Sequence, residues 1–144
     1  VERSRGLGDV YKRQTVDLAL VFRNVHSWLR ADQAEMMFSA IAETLKPGGV
    51  LGIVQHRGEA GLSLEQMKNT AYVSEEKVIE LAQLAGLQLD SRSEINANPK
   101  DTKDHPRGVW TLPPTLAAGD TDRERYVAIG ESDRMTLRFV KPAE

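Results

Sequence analysis

Apolar residues recur along this chain with two different periods, and the switch between them lays out its elements. Val16-Asp17-Leu18-Ala19-Leu20-Val21-Phe22 is a nearly continuous apolar run, too short for a helix of its own. Such runs suit a parallel strand covered on both faces. After the polar group Arg23-Asn24-Val25-His26-Ser27, the period lengthens. Ala34, Met37, Phe38, Ile41, Ala42 and Leu45 fall on one helical stripe. Asp32 and Glu35 have the spacing of a capping box at its start, and Lys46-Pro47-Gly48-Gly49 supplies a basic residue and breakers at its end. Val50-Leu51-Gly52-Ile53-Val54 follows as a second buried strand, completing a strand–helix–strand unit whose strands run parallel.

The second half carries weaker patterns. Ser63 and Gln66 mark a short helix, and Ser74 starts a better one, with Glu75 and Glu76 in its first turn and Val73 placed to staple onto Val78. Val78, Leu81, Ala82 and Ala85 form its apolar stripe before Gly86 ends it. Leu87 to Ser91 alternates like an edge strand. Residues 96–120 make a long irregular loop, in which Val109-Trp110-Thr111-Leu112 predicts folding onto the body. Thr121 and Glu124 mark one more short helix ending near Gly130. Met135, Leu137 and Phe139 then alternate with Thr136 and Arg138 in a strand with two unlike faces.

Composition narrows the class. The chain has 144 residues, 40% hydrophobic and 28% charged, which is the balance of one globular domain. A net charge of −2 gives no basic stripe for nucleic acid. The absence of cysteine excludes disulfides, thiolate metal sites and a cysteine nucleophile. His26, His56 and His105 have no metal-ligand spacing, so no metal is expected. No apolar run approaches the ~20 residues of a membrane span. With no signal peptide visible, the cytoplasm is the default compartment.

Read in order, DLALVFRNVHSWL and AEMMFSAIAETLKPGGVLGIV resemble the fourth strand, fourth helix and fifth strand of class I S-adenosylmethionine-dependent methyltransferases, in which LKPGG is a frequent spelling of the turn. SEINANPKDTKDHPRGVWTLPP and AIGESDRMTLRFVKP are similar to a less characterised subgroup of predicted bacterial methyltransferases. The resemblance covers Val16 to Pro142. It implies an α/β fold, a Rossmann-like methyltransferase half-sheet with flanking helices. Its strands would be numbers four to seven of the family order 3-2-1-4-5-7-6, with the seventh antiparallel. The family's glycine-rich turn and ribose-binding acid have no counterpart here. Gly6-Leu7-Gly8 follows no apolar strand and precedes no helical stripe.

The opening stretch has a separate explanation. VERSRGLGDVYKRQ begins with Val and carries a net +2 against −4 for the rest. Its DVYKRQ matches, residue for residue, one reading frame of the transposase mosaic end used in sequencing-library preparation. Residues 1–14 are therefore expected to be an adaptor-derived, non-native leader, and residues 15–144 the C-terminal part of a single methyltransferase domain.

The resemblance places the loop after the fourth strand beside the methionine and sulfonium end of S-adenosylmethionine. It implies Arg23, Asn24 and Val25 as cofactor contacts, His26 as a base and Trp28 as a pocket wall. The plainer reading has Asn24 capping a turn and His26 packing at the start of a helix. His56 and Arg57 follow the next strand and face the same edge of the sheet, where Arg57 could hold a carboxylate or phosphate. Tyr72 could reach the same mouth, and His105, Arg107 and Trp110 could form a lid over a substrate. The expected activity is methyl transfer to a small-molecule acceptor, with the isolated chain inactive for want of the glycine-rich loop. The fourth strand's bare edge would drive self-association. The alternative is a non-catalytic α/β module that engages a protein partner.

Overall fold

A computed structural model describes residues 14–143; the leader expected at residues 1–14, Gly6-Leu7-Gly8 included, lies outside them except for Gln14. Four strands form one mixed sheet: β1 (Val16–Phe22), β2 (Leu45–His56), β3 (Gln88–Ser93) and β4 (Arg134–Val140). Between them lie α1 (Val25–Arg30), α2 (Ala34–Thr44), α3 (Leu64–Thr70), α4 (Glu75–Leu84) and α5 (Arg123–Ile129). The strand order is β1-β2-β4-β3. β1 runs parallel to β2, while β4 is antiparallel to both β2 and β3. This is the half-sheet that strands four to seven would make, last strand reversed.

The core lies on one face. Val21, Leu51, Ile53, Leu137 and Phe139 meet Leu29 of α1, Phe38 and Ala42 of α2, Met67 of α3 and Val78 and Leu81 of α4 in one buried cluster. The stripes read from the sequence supply these residues, except that Met37 lies outside the cluster. The helix signals near Ser63 and Ser74 also hold: Ser63 and Gln66 form a complete capping box, and the Ser74 hydroxyl accepts the Lys77 N–H.

Several expectations need correction. Among the described residues β1 is covered on one face only: Leu18, Leu20 and Phe22 remain 54%, 56% and 52% exposed, because α1 to α4 pack on the other side of the sheet. Asp32 does not cap α2. Gln33 occupies the cap position without a side-chain bond, and Asp32 sits in the left-handed region, its carboxylate paired with Lys68. Lys46-Pro47-Gly48-Gly49 is not a turn between helix and strand; β2 starts at Leu45, which pairs with Val16. The cation at the end of α2 is Lys141, from across the chain, whose ammonium donates to the Ala42 and Leu45 carbonyls at 2.7 Å. The third strand runs to Ser93 rather than Ser91. α5 is preceded by Asp122 with no side-chain cap, so neither Thr121 nor Glu124 anchors it.

The long loop folds onto the body, as Val109 and Leu112 predict. A short 3-10 turn, Gly108–Thr111, buries Val109 against Ala71 and Tyr72. Gly108 has φ +59°, and a Cβ there would meet the Thr70 carbonyl oxygen at 2.3 Å, so only glycine fits this approach.

Candidate functional site

Parallel strands place their C-terminal ends at one edge of a sheet, where α/β folds bind ligands. Here β1 ends at Phe22 and β2 at His56, and antiparallel β4 begins at the same edge with Arg134. Between them opens a cavity of about 310 Å³. Its lining mixes polar residues (Arg23, Asn24, His56, Ser132 and Arg134) with apolar ones (Phe22, Val109, Trp110 and Pro113–Pro114). Of the residues singled out from the sequence, the structure thus brings together Arg23, Asn24, His56 and Trp110.

The joint between β1 and α1 is where the expected loop becomes a helix. Arg23 takes φ 60° and donates its N–H to the Val54 carbonyl at 2.6 Å. A non-glycine residue in this region holds strain that the surroundings must enforce. Asn24 takes the cap position of α1 without a side-chain bond, leaving its amide exposed. Val25 is fully buried, and its N–H donates to Gln55 Oε1 at 3.0 Å, so neither its side chain nor its N–H faces a ligand.

Gln55 organises the layer behind the cavity. Val25 N–H can only donate and the Ala71 carbonyl can only accept, so the amide has one orientation, with Nε2 also donating to His26 Nδ1 at 3.1 Å. His26 Nδ1 is then an acceptor, and the neutral ring carries its hydrogen on Nε2. Burial lowers the His26 pKa; the Gln55 bond opposes this and the nearby Arg30 charge adds to it. His26 lies behind the cavity wall, its ring 5.4 Å from His56 and 6.1 Å from Trp110. His56 is depressed further, to about 3, by burial and then by the charges of His26, Arg134 and Arg23. Its Nδ1 meets the Ser132 hydroxyl. Both rings are neutral at neutral pH.

The remaining expected site residues have other surroundings. Trp28 stands edge-on to Phe38, 5.9 Å between centroids, at the core boundary. Trp110 carries the Arg30 guanidinium at 5.1 Å from its ring. All five Arg57 N–H donors are engaged by Asp133, Glu75 and Glu94, leaving none for a substrate. Burial opposes ionisation of Asp133, but the Arg57, Asn98 and Lys103 donors overcome it and hold its carboxyl at about 2. Tyr72 is buried and donates to the Asp101 carboxylate, which also accepts from His105 Nε2 at 2.8 Å and from the Lys103 and Asp133 N–H groups. Burial, then the Asp101 hydrogen bond and charge, push the Tyr72 phenol up. These contacts pin the 96–120 loop from beneath. Arg107 is exposed on that loop and does not line the cavity.

Sequence reasoning missed Ser132 and Arg134. The signal was present: an antiparallel last strand must begin at the edge where the parallel strands end, so the polar residues before Met135 belong to the same site. Missed too was Gln55, which reads as an ordinary polar residue at a strand end.

No family model matches this chain, and no curated protein matches it either. Solved structures do. The (4+2)-cyclase SpnF aligns with 99% of the chain at a TM-score of 0.60 and 19% identity, and the chain covers 61% of its length. A S-adenosylmethionine-dependent methyltransferase from Methanosarcina mazei aligns with 91% at a TM-score of 0.54 and 12% identity, again with 61% of its length covered. The chain therefore spans about three fifths of both proteins. At these identities the likeness is one of fold: this chain has the Rossmann-like α/β architecture found in methyltransferases.

Proposed function

We propose that this chain is the C-terminal part of a class I S-adenosylmethionine-dependent methyltransferase domain that acts on a small-molecule acceptor. The strand order β1-β2-β4-β3 with β4 reversed carries the reading, because it sets an open cavity at the end of the strand that would border a cofactor. The cofactor supplies an electrophilic methyl on a good leaving group, so the protein's main task is alignment. On the residues present, only the methionine end of the cofactor finds partners. The exposed Asn24 amide is available to it, whereas Val25 is not. His26 has Nδ1, the nitrogen a neutral ring with hydrogen on Nε2 would use as a base, engaged by Gln55, and its ring packs against those of His56 and Trp110, so we do not assign it the base.

This reading expects the chain alone to bind S-adenosylmethionine weakly or not at all. Isothermal titration tests it, and micromolar binding by residues 15–144 would overturn it. Resequencing the source DNA across the codons before Thr15, without transposase-based preparation, tests the leader. The fragment reading requires a strand and a glycine-rich turn upstream. A genuinely encoded leader would instead favour a binding module.

A further inference from the structure

The cavity beside His56 has a charge pattern that specifies its ligand more closely than the fold does. Arg23 has no hydrogen-bond or ion-pair partner for its guanidinium among the described residues, and no Asp or Glu lines the cavity. Arg134 reaches Glu131 through one terminal nitrogen at 2.7 Å, while its Nε is buried with no partner. The remaining N–H groups of Arg134 have no acceptor among the described residues, so its charge is only partly met there. Arg23 is moreover held at φ 60°, where glycine would be at ease and arginine is not. The two histidines do not supply the charge, since both are neutral. Trp110, Phe22 and the Pro113–Pro114 pair line the same cavity and supply apolar surface suited to a ring or short hydrocarbon.

We propose that this cavity seats the acceptor as an apolar or aromatic carboxylate, its carboxylate held between Arg23 and Arg134 and its body laid against Trp110. Planar guanidinium groups match a carboxylate through paired N–H donors. The proposal rests on the methyltransferase reading only for the word acceptor; the anion seat is a property of this chain's own residues.

The test uses the chain itself, with no cofactor present. Benzoate is titrated while the indole N–H resonances of Trp110 and Trp28 are followed by nuclear magnetic resonance. Benzoate should shift Trp110 saturably and leave Trp28 in place, with benzyl alcohol at least tenfold weaker. Arg23→Gln and Arg134→Gln should each weaken benzoate about tenfold, with thermal midpoint and the Trp28 resonance reporting that each variant is folded. Equal binding of benzyl alcohol, unchanged binding in both variants, or no benzoate binding at all would overturn the proposal and leave the methyltransferase reading standing. Methionine binding more tightly than benzoate would also overturn it, giving the seat to the cofactor's amino-acid end. If benzoate binds as expected but the completed chain transfers no methyl group, the anion seat survives and the methyltransferase reading falls.

Discussion

The two faces of the sheet differ more than any other two regions of this molecule. On one, Leu51, Ile53, Leu137 and Phe139 are fully buried beneath four helices. On the other, Leu18, Leu20 and Phe22 stand half exposed beside Val50, Gly52, Val54, Thr136 and Arg138, around a shallow hollow of about 390 Å³. Both faces of β1 carry apolar side chains, yet one is finished and the other bare. A contiguous exposed apolar patch on a sheet whose edge strand, among the described residues, pairs on one side only is a surface made to be covered. The comparison teaches that β1's sequence is written for two layers of cover, of which the described residues provide one.

Substitutions should separate the faces sharply. Phe139→Ala should lower stability by about 3–5 kcal/mol, through lost burial and the cavity left behind. Phe22→Ala should change it by less than about 1 kcal/mol. Denaturant unfolding of the two variants checks this, and similar losses would mean that the bare face is covered after all, for instance by a second copy of the chain.

The polar layer under the cavity should respond to acid. His56 has a folded pKa of about 3 against about 6.5 unfolded. Between these values the unfolded chain binds the proton and the folded chain does not, so stability rises with pH across that window and falls on acidification. The loss from this one group approaches roughly 4 kcal/mol by pH 3. Asp133 adds a smaller loss of about 2 kcal/mol as pH falls from about 4 toward 2, since its folded value is the lower one. Urea midpoints measured across this range should show the slope, and His56→Asn should flatten its upper part. A slope unchanged by that variant would place the titrating group elsewhere.

Self-association tests what the bare face does in solution. The wild-type chain should sediment as dimers or larger species, and Leu20→Glu should shift it toward monomer with a stability change below about 1 kcal/mol, because that position is solvated in the monomer. A wild-type chain that is a clean monomer would remove the argument for a missing layer.

The smallest expected effect is at the strand–helix joint. Arg23→Gly should raise stability by roughly 0.5–1 kcal/mol by relieving the left-handed backbone, while weakening benzoate binding about tenfold. Strain retained at a binding residue is the pattern expected of a functional position. If the variant is instead less stable, the guanidinium has a structural partner.

Much of this architecture is legible in the chain alone. The apolar run of β1, the stripe from Ala34 to Ala42 and the alternation of Met135, Leu137 and Phe139 are periodic signals, and burial of one face enforces each. Ser63 and Ser74 cap their helices through neighbours three residues away, so local sequence suffices for them. Where a local signal had a remote competitor, the competitor won: Lys141 rather than Lys46 binds the end of α2, and strand pairing with Val16 rather than the helical stripe claims Leu45. The candidate site divides in the same way. Arg23, Asn24 and His56 follow strand ends and are found by counting along the chain. Ser132 and Arg134 reach the cavity only because β4 runs backwards, and Gln55 acquires its role only when Val25, Ala71 and His26 converge on one amide. Sequence by itself determined most of the strands and helices, α1 and the start of β2 excepted, because periodicity and capping are short-range. Tertiary structure alone decided which donors are engaged and which are left open. Arg57 and Arg23 look alike in the chain, but Asp133, Glu75 and Glu94, from three other segments, converge on the first, and no acidic residue lines the cavity of the second.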